Sequence, residues 1–418
     1  MAKAELAHTH GTAVGVFDAG SFVCDPLHLL GSVTTPNSFL AVGGDTGGGH
    51  TKLGVTYTTT NNTQQYVTLL VYAGGDTWEE LSKLREPGVT VFTGSSAQFT
   101  DIYAVLQHLI TMRGAFLNGD WVFLSCVLGL MGASASYPCP ICVVPKQKLL
   151  ERHATRTPAD REGAYSTSRT PLLTCLPARI VPTPLHLFLG IGNRIIKKCY
   201  IPLLGGDAVQ AAMSNVKTIH MPGNGGLSDL HDLNGPELTK WIERGCDQYV
   251  RDHATSPNGK DDEIQMRVTE ASAWLGKLPH FLLSSDAFTI EQKFVVEGLV
   301  KSMHKRWTAV TGDTPFPKLH MLHHAVEFAK VHGFLGRASE AAIERHHAAF
   351  NELFHRHHFN LGSNTAQRLA ACLRSMLERA VWPKLVQAEA APIPPFSPPR
   401  NTITRSLSEP IAHQSYTH

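Results

Sequence analysis

Cys139-Pro140-Ile141-Cys142 sets two thiols on one turn, and His320 and His324 set two imidazoles four residues apart. Each pair is half of a four-coordinate ion site, and two thiolates with two imidazoles suit a closed, tetrahedral Zn²⁺. Joining the halves would staple the long stretch between them against the rest of the fold. That is a stronger constraint than any single helix or strand can impose. The pattern predicts a helix over Lys318 to His332, on which residues four apart project from one face. His323 is the alternative partner, although a spacing of three or one fits that face less well. The plain alternative is abundance: nine histidines lie from His320 to His358, and His346, His347, His355, His357 and His358 read as solvated helix positions.

Three acidic fragments stand around this staple. Asp45 lies in Gly43-Gly44-Asp45-Thr46-Gly47-Gly48, Asp120 in Asn118-Gly119-Asp120, and Glu344 in Ser339-Glu340-Ala341-Ala342-Ile343-Glu344. Three hard oxygen ligands suit Mg²⁺ or Mn²⁺. Glycines beside Asp45 let the backbone approach a metal or phosphate closely. The alternative is a turn aspartate bonded to its own backbone. The segment is no Walker or Rossmann loop, because no helix opening on Lys-Ser/Thr follows. Ser339 is a candidate N-cap for a helix carrying both Glu340 and Glu344 one turn apart, and spacing alone does not choose between them. His186 and Asn193, polar on an apolar segment, are candidates to position a phosphate, or else a buried structural pair.

The 418 residues are 43% apolar and 17% charged, a globular composition with room for one large or two to three ordinary domains. A formal net charge of +2 advertises no polyanion partner, although a local basic groove can hide in a neutral total. Lys301, Lys305, Arg306, Arg368 and Arg374 are candidates for phosphate contacts, or solvated helix faces. Of eight cysteines only Cys139 and Cys142 are closely paired, which argues against a secreted disulfide framework. No basic flank precedes an apolar run at the start of the sequence, so no secretory signal is expected. The longest apolar run, Trp121 to Met131, is too short to span a bilayer and reads as a buried helix. A soluble, intracellular protein is expected.

The chain divides by pattern. Residues 1–35 read as a poorly ordered segment. Residues 36–135 read β-β-β-α-β-α: a meander from Ser38 to Val71, helices over Thr77 to Arg85 and Ala97 to Arg113, and a short strand from Ala115 ending at Gly119-Asp120. Both aspartates then fall at strand ends, where neighbouring strands can bring them together. Residues 136–316 hold the Cys knuckle, a polar exposed loop over Glu151 to Thr170, and helices. Residues 317–385 are a helical part completing both ion sites, and the Pro-rich stretch 386–418 reads as a disordered tail.

The order Asp, Asp, CxxC, HxxxH, Glu resembles the catalytic core of the V(D)J recombinase catalytic subunit and the Transib-type transposases. The resemblance runs from about Ser38 to Phe354. It includes the 19 residues from Asp120 to Cys139, the element Leu185-His186 with Gly190 and Asn193, the Gly333/Gly336 turn, and Phe350 six residues after Glu344. By that register Glu344 matches the catalytic glutamate better than Glu340. The histidines are one residue closer together than in the recombinase. The resemblance implies a mixed α/β, RNase H-like sheet flanked by helices, with a long, mostly helical insertion stapled by structural zinc on Cys139, Cys142, His320 and His324. Asp45, Asp120 and Glu344 would hold two Mg²⁺ or Mn²⁺ ions for cleaving DNA, with or without strand transfer. A homodimer, no membrane, and a nuclear location follow, or a cytoplasmic one for a domesticated descendant. Little precedes Ser38, so the family's DNA-reading region has no counterpart in this sequence. A separate DNA-reading partner is one expectation from that. The other is a catalytically silent DNA- or protein-binding descendant.

Overall fold

The computed structural model describes residues 15–16, 22–23, 39–47, 50–58, 63–72, 75, 77–85, 91–92, 98–99, 102–157, 163–216, 232–254, 261–361, 371–372 and 375. The tail 386–418, Arg368 and Arg374 lie outside these residues. So does the segment 1–35, apart from a two-residue antiparallel pair, Gly15–Val16 with Phe22–Val23.

The protein is mixed α/β. Strands β1 (Leu40–Gly47), β2 (His50–Thr58) and β3 (Gln64–Tyr72) form an antiparallel meander. Helix α1 (Ile102–Met112) then leads to β4 (Phe116–Gly119), which lies parallel to β1 and completes a sheet of order β3-β2-β1-β4. A helical connection is what a parallel neighbour requires, since a tight turn can only reverse the chain. The expected β-β-β-α-β-α order is therefore present, with shorter helices. Thr77 caps a helix over Trp78–Ser82, and α1 starts at Ile102 because Gln98–Phe99 pairs instead with Val91–Phe92.

Side chains alternate across β1, and the sheet is covered on both faces accordingly. A Cβ on Gly44 would meet Phe123 of α2 (Trp121–Val127) at 2.7 Å, while one on Gly43 would meet the Asn118 carbonyl at 2.6 Å and Ile343 at 3.3 Å. Position 44 thus faces α2, and positions 43 and 45 face the helix α7 (Ala341–Leu361). The glycine pair serves close packing of helix and strand, not approach to a ligand as the sequence suggests. Helix α2 is also shorter than the apolar run predicts: it ends at Val127, and Val122 and Met131 are exposed.

Most of the remaining described chain is helical. Helices α3 (Pro184–Ile195), α4 (Asp262–Leu282), α5 (Ile290–Thr311) and α6 (Pro317–His332) carry the apolar stripes that bury Phe188, Trp274, Trp307 and Leu322. Trp274 and Trp307 stack nearly parallel between α4 and α5. Among the described residues, most buried apolar side chains form a cluster from Phe39 in the sheet region to Ala338, and Tyr66, Ala342 and Ile343 form a separate one under α7. The stretch Glu151 to Thr170, expected to be an exposed loop, packs in part. Arg156 is buried and donates to the Cys139, Tyr137 and Tyr165 carbonyls. Among the described residues, no helix is long and apolar enough to cross a membrane.

Two side chains from the sheet grip the corner before α7. The Asn118 amide donates to the Ala338 carbonyl at 2.9 Å, and the Gln64 amide to the Arg337 and Ser339 carbonyls. The Ser339 hydroxyl accepts from the Ala341 N–H, so it does take up a helix-start donor, one residue earlier than a regular cap position.

Candidate functional sites: a Cys/His cluster and an acidic centre

The two half-sites meet. Ligand atoms of Cys139, Cys142, His320 and His324 all lie within 4.8 Å of one another. The Cys142 sulfur is 3.2 Å from His320 Nε2, and His320 Nδ1 is 2.7 Å from the Leu149 carbonyl. That carbonyl can only accept, so it fixes the proton on Nδ1 and leaves Nε2 as the lone-pair donor. His324 repeats the device: Nδ1 lies 3.3 Å from a Glu327 carboxylate oxygen, and its buried Nε2 has no hydrogen-bond partner. The Cys139 thiol holds the Cys142 thiol far below its ordinary range, helped by His320 and His324, while burial and Cys142 push Cys139 up. N–H groups of Ile141 and Cys142 both point at the Cys139 sulfur at 3.4 Å. The orphaned imidazole nitrogen, two oriented rings and N–H groups around a sulfur fit Zn²⁺. His323 is outside this set and packs edge-on against His304, ring centroids 3.9 Å apart.

The second site lies where β1, β4, α3 and α7 converge. The parallel ladder pairs Gly44 with Gly119, so Asp45 is the next residue on β1 and Asp120 the one that follows β4. Asp45 is not in a turn. It sits inside β1, directly across from Lys52, with both side chains on the α7 face. Asp45 is 8% exposed and Lys52 fully buried, its ammonium 4.8 Å from the centre of the Phe350 ring on α7. Ligand atoms of Asp45, Glu344 and His347 lie within 4.8 Å of one another. Burial and the neighbouring Asp45 charge push the Glu344 carboxyl up to about 7, against a smaller downward pull from His186.

Asp120 stands beside this triplet rather than in it. Its carboxylate caps α2 by accepting from the Phe123 N–H at 2.7 Å. Burial raises its pKa, the cap lowers it, and the Asp45 charge raises it again. His186, near the start of α3, links the acids. Its Nδ1 is 2.7 Å from Glu340 Oε1, its backbone N–H donates to the same oxygen at 2.8 Å, and its Nε2 is 3.6 Å from Glu344. Burial works against its charge, but the Glu340 bond, with Asp120 and Glu344, raises it to about 9. Glu340 is therefore the histidine's buried partner, and Glu344 is the glutamate beside Asp45.

Asn193 does not join this centre. Its amide donates to the Leu233 carbonyl and accepts from the Leu233 N–H, both at 2.8 Å. These two backbone bonds tie it to Leu233, so in this structure it clamps α3 to the segment before the next helix. Two of the histidines expected to be solvated also prove otherwise: His347 is 5% exposed, and His346 reaches Thr68 at 2.5 Å.

A cleft of about 610 Å³ opens beside Asp120 and His186, walled by Trp121, Met131, Phe316 and Lys318. Burial lowers the Lys318 pKa against upward pulls from Glu340, Asp120 and Asp232. Its side chain crosses Gly190, where a Cβ would meet Lys318 Cδ at 2.3 Å. Arg194 on the same wall is paired with Asp313 and lies over the Phe316 ring. Sequence reading passes over Lys52 and Lys318 as site residues and takes His347 for a solvated position, because nothing local marks them. Only the register across from Asp45 could have drawn attention to Lys52.

No protein-family model matches the chain, and no curated protein matches it.

Proposed function

We propose that the chain is the catalytic core of a DDE-type nuclease related to the V(D)J recombinase catalytic subunit and the Transib-type transposases, with an RNase H-like sheet and a zinc-stapled helical insertion. The observation that supports this most is the pairing of Gly44 with Gly119, which puts Asp45 and Asp120 each one residue past a shared register, together with the grouping of Glu344 with Asp45. The meander followed by a parallel fourth strand supports the RNase H-like reading. Asp45, Asp120 and Glu344 would hold Mg²⁺ or Mn²⁺, which supplies a polarised oxygen nucleophile and a stabilised leaving oxygen for in-line displacement at phosphorus.

The residues themselves do four things. Asp45 and Glu344 offer carboxylate oxygens from a strand and a helix that pack on one another. Asp120 keeps one oxygen on the α2 cap, which fixes the direction of the other. His186, held by Glu340 and charged at neutral pH, presents Nε2 towards Glu344 and the reacting phosphate. Lys318 lines the neighbouring cleft, where a DNA phosphate would relieve its burial.

The test is nicking of supercoiled plasmid by the zinc-loaded protein in Mg²⁺ or Mn²⁺, against Asp120→Asn. Asparagine caps a helix as well as aspartate does, so this variant keeps the α2 cap and removes only the charge. Nicking by the wild type and background rates from the variant are expected. A folded wild type that never nicks, or a variant as fast as wild type, would refute the nuclease reading.

One observation favours a second reading, a silent descendant that binds DNA or protein. Lys52 across from Asp45, and His347 against it, could neutralise the acids in place of an ion. DNA binding unaffected by divalent ions, without cleavage, would support that reading.

A further inference from the structure

His347 is the one ring that enters the acidic centre from the α7 side. Its Nδ1 lies 3.1 Å from Asp45 Oδ2 and 4.0 Å from Glu344 Oε2. Residues three apart on a helix share a face, so one rigid element presents both Glu344 and His347 to the strand carrying Asp45. The neighbouring His346 diverges to Thr68 on β3, which leaves the pair doing different jobs. The far nitrogen of His347, Nε2, is buried with no hydrogen-bond partner, so the ring meets the carboxylates through Nδ1 alone. The ring is 5% exposed and cannot swing into water to escape the carboxylates.

Two carboxylates and an imidazole are a different donor set from three carboxylates. Mg²⁺ demands oxygen and near-ideal octahedral geometry, whereas Mn²⁺ and later first-row ions accept imidazole. We propose that His347 is a nitrogen ligand beside Asp45 and Glu344, so that the ion position these three share meets two carboxylates and one imidazole and prefers Mn²⁺ to Mg²⁺. This rests on the reading of the acids as ion ligands, and adds which ion the site selects and which atom selects it. Neutral His347 would present the Nδ1 lone pair and carry its proton on Nε2. The competing role for the same ring is a fixed positive charge beside Asp45, which would repel a cation rather than ligate it.

The two are separated by electron spin-echo modulation of Mn²⁺ bound to the full, zinc-loaded chain. Directly coupled ¹⁴N is expected in the wild type, replaced by ¹⁵N after ¹⁵N-histidine labelling, which needs no substitution. His347→Gln should abolish the coupling, keep Mn²⁺ bound through the carboxylates, and reduce the Mn²⁺ over Mg²⁺ preference by about tenfold or more, the scale of lost ligand-shell contacts. Mn²⁺ bound without nitrogen coupling, or with coupling unchanged in His347→Gln, overturns the proposal while the nuclease reading stands. A wild type that binds no Mn²⁺ overturns the ion-ligand reading and this proposal with it. If His347→Gln does not fold, the labelled wild type and its measured Mn²⁺/Mg²⁺ preference decide alone: an absent ¹⁵N signal or a preference for Mg²⁺ refutes it.

Discussion

The Cys/His cluster joins one turn to one helix and the acidic centre gathers four elements, and the two are built in opposite ways. Around the cluster, each imidazole has its second nitrogen held by a carbonyl or carboxylate, both sulfurs are buried, and that of Cys139 is met by two N–H groups. Around the acids, partners compete. Glu344 is half-exposed and lies near Asp45, His186 and His347 at once, and Asp120 divides itself between a helix cap and the cleft. A closed set whose ligands are all pre-oriented fits a permanent structural ion, whereas an open set with exchangeable partners fits ions and substrates that come and go. Stability should therefore depend on the first region, and activity on the second.

The largest expected effect is on the cluster. Zinc binding in such sites is itself folding energy, on the order of 10 kcal/mol as an apparent value. Cys139→Ala should lose zinc and cooperative unfolding together, read by metal analysis and thermal melting. A variant that melts like wild type without zinc would end the structural role of the cluster.

Next comes the His186–Glu340 pair, the one part of the acidic centre built like the cluster. Glu340 is 1% exposed, so removing its partner strands a buried carboxylate, a loss of about 3 kcal/mol at the low end for broken buried pairs. Because the folded His186 pKa is raised to about 9, the stabilisation is complete below about 6.5 and disappears as pH rises through 9. His186→Ala should therefore be much less stable than wild type at pH 6 and close to it at pH 10 in denaturant melts. Equal losses at both pH values would show that the charge is irrelevant.

Glu344 should also lose stability as pH rises, in a lower window, but its substitution should stabilise rather than destabilise. Its folded pKa is raised to about 7 from an ordinary value of 4.5, so the fold binds more protons than the unfolded chain between these values. Stability without divalent ions should fall as pH rises from 4.5 through 7. Glu344→Gln should gain on wild type at pH 8 and lose that gain at pH 4, and Mn²⁺ should erase the difference by stabilising the ionised wild type. The smallest effect is at Asp120, where Asp120→Ala should cost about 1 kcal/mol through the lost cap and Asp120→Asn only a few tenths.

Much of this was legible in the residues. The alternation of β1 to β3, the turn after β4 and the four-residue spacing of His320 and His324 are local signals, and each marks an element that the fold contains. Long-range choices were not legible. Glu340 and Glu344 are one turn apart and chemically alike; the spacing to Phe350 favours Glu344 by resemblance alone, and packing against His186 on one side and Asp45 on the other gives them their separate partners. Asn193 looked like a site residue because it is polar on an apolar helix, but its partner, the Leu233 backbone, lies 40 residues away. His347 looked solvated because histidines are common in that stretch. Burial by the sheet is a tertiary fact that no helical period contains.

The corner held by Asn118 and Gln64 joins these regions mechanically. Helix α6, which carries His320 and His324, ends at His332 and Glu344-bearing α7 begins at Ala341, so one short bend connects the Cys/His cluster to the acid. With Ala338 tethered to β4, one residue inserted between it and Glu344 would rotate the carboxylate by about 100° around the α7 axis. The cluster would stay whole while the acid turned away from Asp45. The length of that bend, more than its composition, is the tolerance on which the acidic centre depends.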